Sequence, residues 1–122
     1  MTETEKLLGE LVALPSVNPA FLPEGHRDAG EARVAEFLGV TAARAGLDVD
    51  FQEVAQGRSN VTARMAPAGK IKQRILLAPH MDTVAPSSED QFLPRVARGR
   101  LYGRGACDTK GSIAAMLTAL SV

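Results

Sequence analysis

The chain has 122 residues, 45% apolar and 23% charged, which suits one globular domain with a sizeable core and excludes disorder, collagen and coiled coil. Fourteen basic residues balance fourteen acidic ones, and the Lys and Arg are scattered, so there is no phosphate-tracking stripe and nucleic acid is not expected as a partner. The single cysteine, Cys107, cannot close an internal disulfide, the opening Met1-Thr2-Glu3-Thr4-Glu5 is acidic where a signal peptide would be basic, and no apolar run approaches the roughly 20 residues that span a bilayer; a cytoplasmic protein with no membrane partner is expected.

Thr2 with Glu5 fits a capping box, and Leu7, Leu8, Leu11, Val12 and Leu14 recur at helical spacing until Pro15 forbids continuation. Residues 15–27, including Ser16-Val17-Asn18-Pro19 and Pro23-Glu24-Gly25, read as a long loop of the kind that often carries function. Asp28 with Glu31 could cap a second helix whose small apolar face holds Ala35, Leu38, Ala42 and Ala45, and Gly46 is placed to end it in the left-handed conformation. Leu47, Val49 and Phe51 then alternate with polar residues, which is the period of a strand.

Val61, Ala63 and Met65 alternate again, and Pro67-Ala68-Gly69-Lys70 reads as a turn into residues 71–78, so a hairpin is expected there. Ile75-Leu76-Leu77-Ala78 is apolar on both faces, as in a central strand covered by helices, and is expected in the core. A polar stretch over 85–90 and a weak segment to Val96 precede the glycine-rich 99–105, a turn with a short strand. Residues 110–122, with Ile113, Ala114, Met116, Leu117 and Leu120 and no proline, read as a closing helix. Leu120-Ser121-Val122 shows no Gly, Asn or Pro stop, from which the chain is expected to be the first part of a longer protein.

Pro79-His80-Met81-Asp82 follows directly on the apolar run, at the carboxyl end of the expected strand, where open α/β sheets place their ligand sites. Residues two apart in extended backbone face the same side, so His80 and Asp82 can act together. A neutral imidazole is a good zinc ligand, and a carboxylate accepting its other N–H fixes the tautomer and raises basicity. Asp108, just after the glycine-rich turn and just before the last helix, would project from a similar junction. The bland readings are a hydrogen-bonded structural histidine and a helix-capping aspartate.

The stretches Leu76-Leu77-Ala78-Pro79-His80-Met81-Asp82-Thr83-Val84 and Leu101-Tyr102-Gly103-Arg104-Gly105-Ala106-Cys107-Asp108-Thr109-Lys110-Gly111 together resemble the two N-terminal signatures of a zinc-dependent amidohydrolase and metallopeptidase family. That family includes acetylornithine deacetylase, succinyl-diaminopimelate desuccinylase, aminoacylase and glutamate carboxypeptidase. Residues 11–19 resemble its first helix and loop, and residues 30–46 its second helix. The resemblance implies that His80 is a zinc ligand, that Asp108 bridges two zinc ions, and that Asp82 is the catalytic-centre carboxylate supporting the histidine. It implies two Zn2+ per complete site, with Co2+ or Mn2+ as alternatives, and a small-molecule N-acyl amino acid or peptide as substrate; His80-Met81-Asp82-Thr83 and the Cys107-Asp108 pair resemble the acetylornithine deacetylase and carboxypeptidase branches slightly more than the desuccinylases. A homodimer of the full-length protein, formed through a separate inserted domain, is also implied. The fold expected is α/β, a mixed, largely parallel sheet flanked by helices, with residues 1–122 forming the N-terminal part of a metallohydrolase catalytic domain.

Thr109 stands where many members have methionine, and Cys107 is expected to be a small buried thiol rather than a ligand. The family's downstream Glu-Glu pair, further acidic ligand and C-terminal histidine have no counterparts here, so the 122-residue chain alone is expected to bind metal weakly and to lack hydrolytic activity. A nucleotide-binding module fits poorly: Lys110-Gly111-Ser112 inverts the P-loop order, and Asp108 would repel a pyrophosphate. A non-catalytic scaffold that keeps the fold is the remaining alternative.

Overall fold

The structure, a computed structural model, describes residues 1–121. Helix α1 runs over Glu3–Val12. Its start is the expected capping box: the Thr2 hydroxyl accepts from the Glu5 N–H at 3.2 Å, and the Thr2 N–H donates to the Glu5 carboxylate at 2.6 Å. Helix α2 spans Ala32–Arg44 and ends as expected on Gly46, whose φ of 84° needs a residue without a Cβ. Its start differs from expectation. No side chain caps it; Asp28 is buried upstream, and Glu31 is instead drawn into an ion pair with Arg58.

Strand β1, Asp48–Ala55, pairs antiparallel with β2, Arg58–Arg64. The expected hairpin joining residues 61–65 to 71–78 is therefore corrected: β2 takes the strand before it, across the short Gln56–Gly57 turn, because a two-residue connection closes a hairpin more readily than a longer one. A second hairpin joins β3, Arg95–Ala97, to β4, Arg100–Tyr102. Helix α3 covers Gly111–Leu120; Val122, to which the sequence reading extends it, lies outside the described residues.

The core gathers Leu7 and Leu11 of α1, Val34, Leu38 and Ala42 of α2, Leu47, and Ile113, Ala114 and Leu117 of α3. Each such aliphatic side chain contributes roughly 1.5–3 kcal/mol by leaving water. The hairpin of β1 and β2 lies on this cluster through Val49, Val61 and Ala63. The elements are thus α/β in content, but the two sheets among the described residues are both antiparallel, and the largely parallel sheet is not found there. Residues 71–78 form no strand, and Ile75 and Leu76 are 81% and 85% exposed, so their expected place in the core is corrected. An apolar run is buried only where neighbours cover it, and here no described strand lies beside it. Parallel pairing survives as isolated bridges, Val17 to Ala29 and Val17 to Thr83.

Candidate functional site

Those bridges position the candidate site. The loop after α1 lies along residues 81–83: the Ser16 hydroxyl donates to the Met81 carbonyl at 2.7 Å, the Thr83 N–H to the Ser16 carbonyl at 2.9 Å, and the Asn18 N–H to the Thr83 carbonyl at 2.9 Å. Ser16, Val17 and Thr83 are buried, so these bonds are sheltered from water. The other wall comes from the segment between β4 and α3. Gly105 (φ 83°) turns the chain, a wide π-type turn covers Ala106–Lys110, and Asp108 leaves helical geometry inside it (φ −122°, ψ 88°). The Asp108–Thr109 peptide is cis.

His80, Asp82 and Asp108, the three residues singled out in the sequence, come together. His80 Nε2 lies 2.9 Å from Asp108 Oδ1, across a separation of 28 residues. On the other side of the ring, Nδ1 lies 3.0 Å from the Asp82 carbonyl oxygen and 3.1 Å from Asp82 Oδ1. Every one of these partners is an acceptor, so the ring donates from both nitrogens when it is protonated. Burial of the ring works against the charge, but the hydrogen bonds to Asp108 and to the Asp82 carbonyl, with the two carboxylate charges, outweigh it and raise the His80 pKa above its usual value. The Asp108 side chain is 88% exposed, so its carboxylate is open to a ligand from solvent.

Two residues of the site lay outside the sequence reading. Asn18 Nδ2 donates to Asp82 Oδ2 at 2.9 Å, so one carboxylate oxygen of Asp82 is held by an amide while the other lies 3.1 Å from the imidazole. Arg104 lines the same cleft, about 230 Å³ in volume, together with Phe21, His80, Asp82, Cys107 and Asp108. The Ser16-Val17-Asn18-Pro19 sequence signals a loop but says nothing about what the asparagine faces. Cys107 is exposed on this cleft rather than buried, which corrects the expectation: the turn that aims Asp108 at His80 also turns its neighbour outward.

A zinc ion takes imidazole nitrogen and carboxylate oxygen, and His80 Nε2 with Asp108 Oδ1 offers one of each, converging from two segments. In chemistry the pair fits a metal centre. In number it falls short, since zinc takes about four donors and among the described residues no group of three or more His, Cys, Asp or Glu could hold a metal ion. None of the described helices is long and apolar enough to cross a membrane.

The pattern of the peptidase family M20/M25/M40 matches residues 76–122, a stretch that contains His80, Asp82 and Asp108. The succinyl-diaminopimelate desuccinylase of Alkalilimnicola ehrlichii is 38% identical over 128 residues, covering 98% of this chain and 30% of the relative. That of Nitrosococcus oceani is 36% identical over 125 residues, covering 98% and 29%. Among solved structures, human carnosine dipeptidase 1 superposes with a TM-score of 0.75 at 25% identity, covering 98% of this chain and 27% of that one. The chain spans about 30% of the length of the curated relatives it matches.

Proposed function

This chain belongs to the peptidase family M20/M25/M40 through its residues 76–122, and from that premise we propose that it carries the N-terminal half of a di-zinc centre in an amide-bond hydrolase. The observation that carries the reading is the convergence of His80 Nε2 and Asp108 Oδ1, 2.9 Å apart, with the opposite ring nitrogen backed by Asp82. In this reading His80 and Asp108 would be metal ligands, with Asp108 serving both Zn2+ ions of the pair, and Asp82 would be the catalytic-centre carboxylate that orients His80. Co2+ or Mn2+ are alternative occupants.

With Nδ1–H donating to Asp82, whose carbonyl oxygen lies 3.0 Å and whose Oδ1 lies 3.1 Å from it, the Nε2 lone pair of the neutral ring would face a metal ion on the Asp108 side of the cleft. Asp108, exposed and anionic, draws cations to that same point. Bound there, the metal would supply polarisation of the scissile carbonyl and a water of lowered pKa. The substrate class proposed is an N-acyl amino acid or a small peptide, which accords with the desuccinylase and dipeptidase names of the relatives. For a polypeptide of the relatives' length we propose a mixed, largely parallel sheet, assembly as a homodimer, and a cytoplasmic setting that suits the lone thiol of Cys107. Residues 1–122 are then the N-terminal part of the catalytic domain.

With two metal donors, the 122-residue chain by itself is proposed to hydrolyse no amide. This scaffold-like behaviour of the isolated chain is favoured by one observation, the absence of any third donor beside the pair among the described residues. Calorimetric titration with zinc, on the wild type and on the His80→Ala and Asp108→Ala variants, tests the metal reading. Weak binding lost in both variants is expected; heat unaffected by either substitution would overturn it. Measurable hydrolysis of an N-acyl amino acid by the purified chain would overturn the claim of inactivity.

A further inference from the structure

We propose that Arg104 is a carboxylate-binding residue of the cleft, holding a free carboxylate group of the ligand that enters beside His80 and Asp108. Calling that ligand a substrate rests on the function proposed above; the carboxylate site itself does not.

Arg104 lines the cleft together with Asp82 and Asp108, yet it pairs with neither. None of the ion pairs among the described residues includes it. Its only side-chain hydrogen bond among those residues goes to a neutral acceptor, Nη2 donating to Gln91 Oε1 at 3.1 Å. Nε is buried with no acceptor, the one side-chain nitrogen or oxygen in that condition among the described residues. A guanidinium is always charged and presents its donors in a planar fork that matches a carboxylate. Most of that capacity is unused here, and a partly buried cation without a counter-charge favours an anion beside it.

The side chain is mounted so that it does not fold onto the two acids. Its own backbone N–H donates to the Gln91 carbonyl at 2.7 Å, so one residue grips both the main chain and the guanidinium. Gln91 is fixed in turn by the Ser87 N–H, which donates to its Oε1 at 2.8 Å, and by its buried neighbour Phe92. On either side of Arg104 the backbone is packed closely: a Cβ added at Gly103 would run into the Val12 side chain, and one added at Gly105 would lie 2.7 Å from Thr83 Cγ2. The cleft thus keeps opposite charges apart, acids for a cation and a guanidinium for an anion. At about 230 Å³ it suits a small molecule rather than a long chain. An N-acyl amino acid or short peptide carries a carboxylate within a few bonds of its amide. The bland role for Arg104 is the strap to Gln91 alone.

The carboxylate can sit on the amino-acid side or the acyl side of the amide, and two probes distinguish them. N-acetylglycine has only the first, the monoamide of succinic acid only the second, and N-acetylglycinamide has neither. Each is titrated into the 122-residue chain with a chelator present, so that no metal ion holds the ligand, and binding is read from the backbone amide NMR shifts of residues 103–107. At least one carboxylate probe is expected to bind, the tighter one naming the side, and the uncharged amide to leave the shifts unchanged. Arg104→Gln is expected to weaken that binding about tenfold or more, and Arg104→Lys, which keeps the charge without the fork, about threefold or more. Arg100→Gln removes an equal charge from an exposed position outside the cleft and is expected to change nothing. Absence of binding by both carboxylates, equal binding of the uncharged amide, or wild-type affinity in Arg104→Gln overturns the proposal; if that variant fails to fold by circular dichroism, Arg104→Lys decides it. Such a failure leaves the metal reading of His80 and Asp108 standing, whereas Arg104-dependent binding in a chain whose zinc affinity ignores His80 upholds the carboxylate site and removes the hydrolase reading instead.

Discussion

Lys110 Nζ donates a 2.8 Å hydrogen bond to the carbonyl oxygen of Leu11, joining the segment that carries Asp108 to the end of the first helix. A second bond, of 2.7 Å, reaches the Leu14 carbonyl. A cation there also meets the negative end of the α1 dipole. Loss of hydration pushes the Lys110 pKa down to about 8, with the charge of Arg33 adding to the effect, so the group is still mostly charged at neutral pH. Replacing it with methionine retains the stem and removes both donors. Lys110→Met is expected to lower stability by about 1–3 kcal/mol in urea unfolding; an unchanged midpoint would mean that relief of the buried charge cancels the lost bonds.

At the proposed site, metal binding to His80 would displace a proton, because the Nε2 lone pair is available only in the neutral ring. The raised pKa of His80 sets the direction: zinc affinity is expected to be steady at alkaline pH and to weaken as pH falls through that raised pKa. Asp82→Asn, which removes the charged acceptor at Nδ1, is expected to weaken zinc binding by roughly ten- to hundred-fold. Calorimetry across a pH series checks both, and an affinity independent of pH would count against His80 as a ligand.

Gly105 combines a positive φ of 83° with a crowded site: an added Cβ would lie 2.7 Å from Thr83 Cγ2 and 3.2 Å from Lys110 Cδ. Conformation and packing both oppose a side chain. Gly105→Ala is expected to destabilise the chain by about 2–4 kcal/mol and to displace Asp108 from His80, read as loss of zinc binding at temperatures where the variant remains folded. A variant with wild-type melting and wild-type metal affinity would contradict the close packing of this turn.

Bonding to the Thr2 backbone N–H, and then to the Thr2 side chain, lowers the Glu5 pKa below the usual 4.5. A carboxyl depressed in the folded state adds stability that is present above its unfolded pKa and is lost as pH falls through the folded one. Acid unfolding curves of the wild type and Glu5→Gln should therefore be fully separated above about pH 4.5 and draw together as pH falls below it, through the lowered pKa of the folded state. Parallel curves throughout would show that the charge of Glu5 contributes nothing.

Ile75 and Leu76 stand almost fully exposed in a segment with no strand beside it. Exposed apolar side chains on a segment outside any strand ladder invite association with another chain. Light scattering of the 122-residue chain is expected to show association that grows with concentration and that the double variant Ile75→Lys, Leu76→Lys reduces. A monomer at every concentration, in wild type and variant alike, would refute this.

Much of this architecture was legible because its signals are local. The capping box at Thr2 and Glu5, the stop at Gly46 and the junction bearing Asp108 are each written within a few residues. His80, Asp82 and Asp108 could be paired in advance because the signatures they belong to are short and their spacing is fixed. Pairing partners are another matter. The alternation at Val61, Ala63 and Met65 identifies a strand but not which neighbour it takes, and the apolar run at 75–78 reads as core whether or not anything covers it. The bond from Asn18 to Asp82 was hidden for the same reason: its two ends lie 64 residues apart, and nothing in the loop sequence points to the other end.

That separation also orders events in time. The contact of Asn18 with Asp82 closes a loop of 64 residues and that of His80 with Asp108 one of 28, whereas the helices close on themselves within a turn. Long closures are entropically expensive and come late in folding. The cleft lined by His80, Asp82 and Asp108 therefore exists only where both closures are made, and its shape depends on the whole length of chain between Asn18 and Asp108.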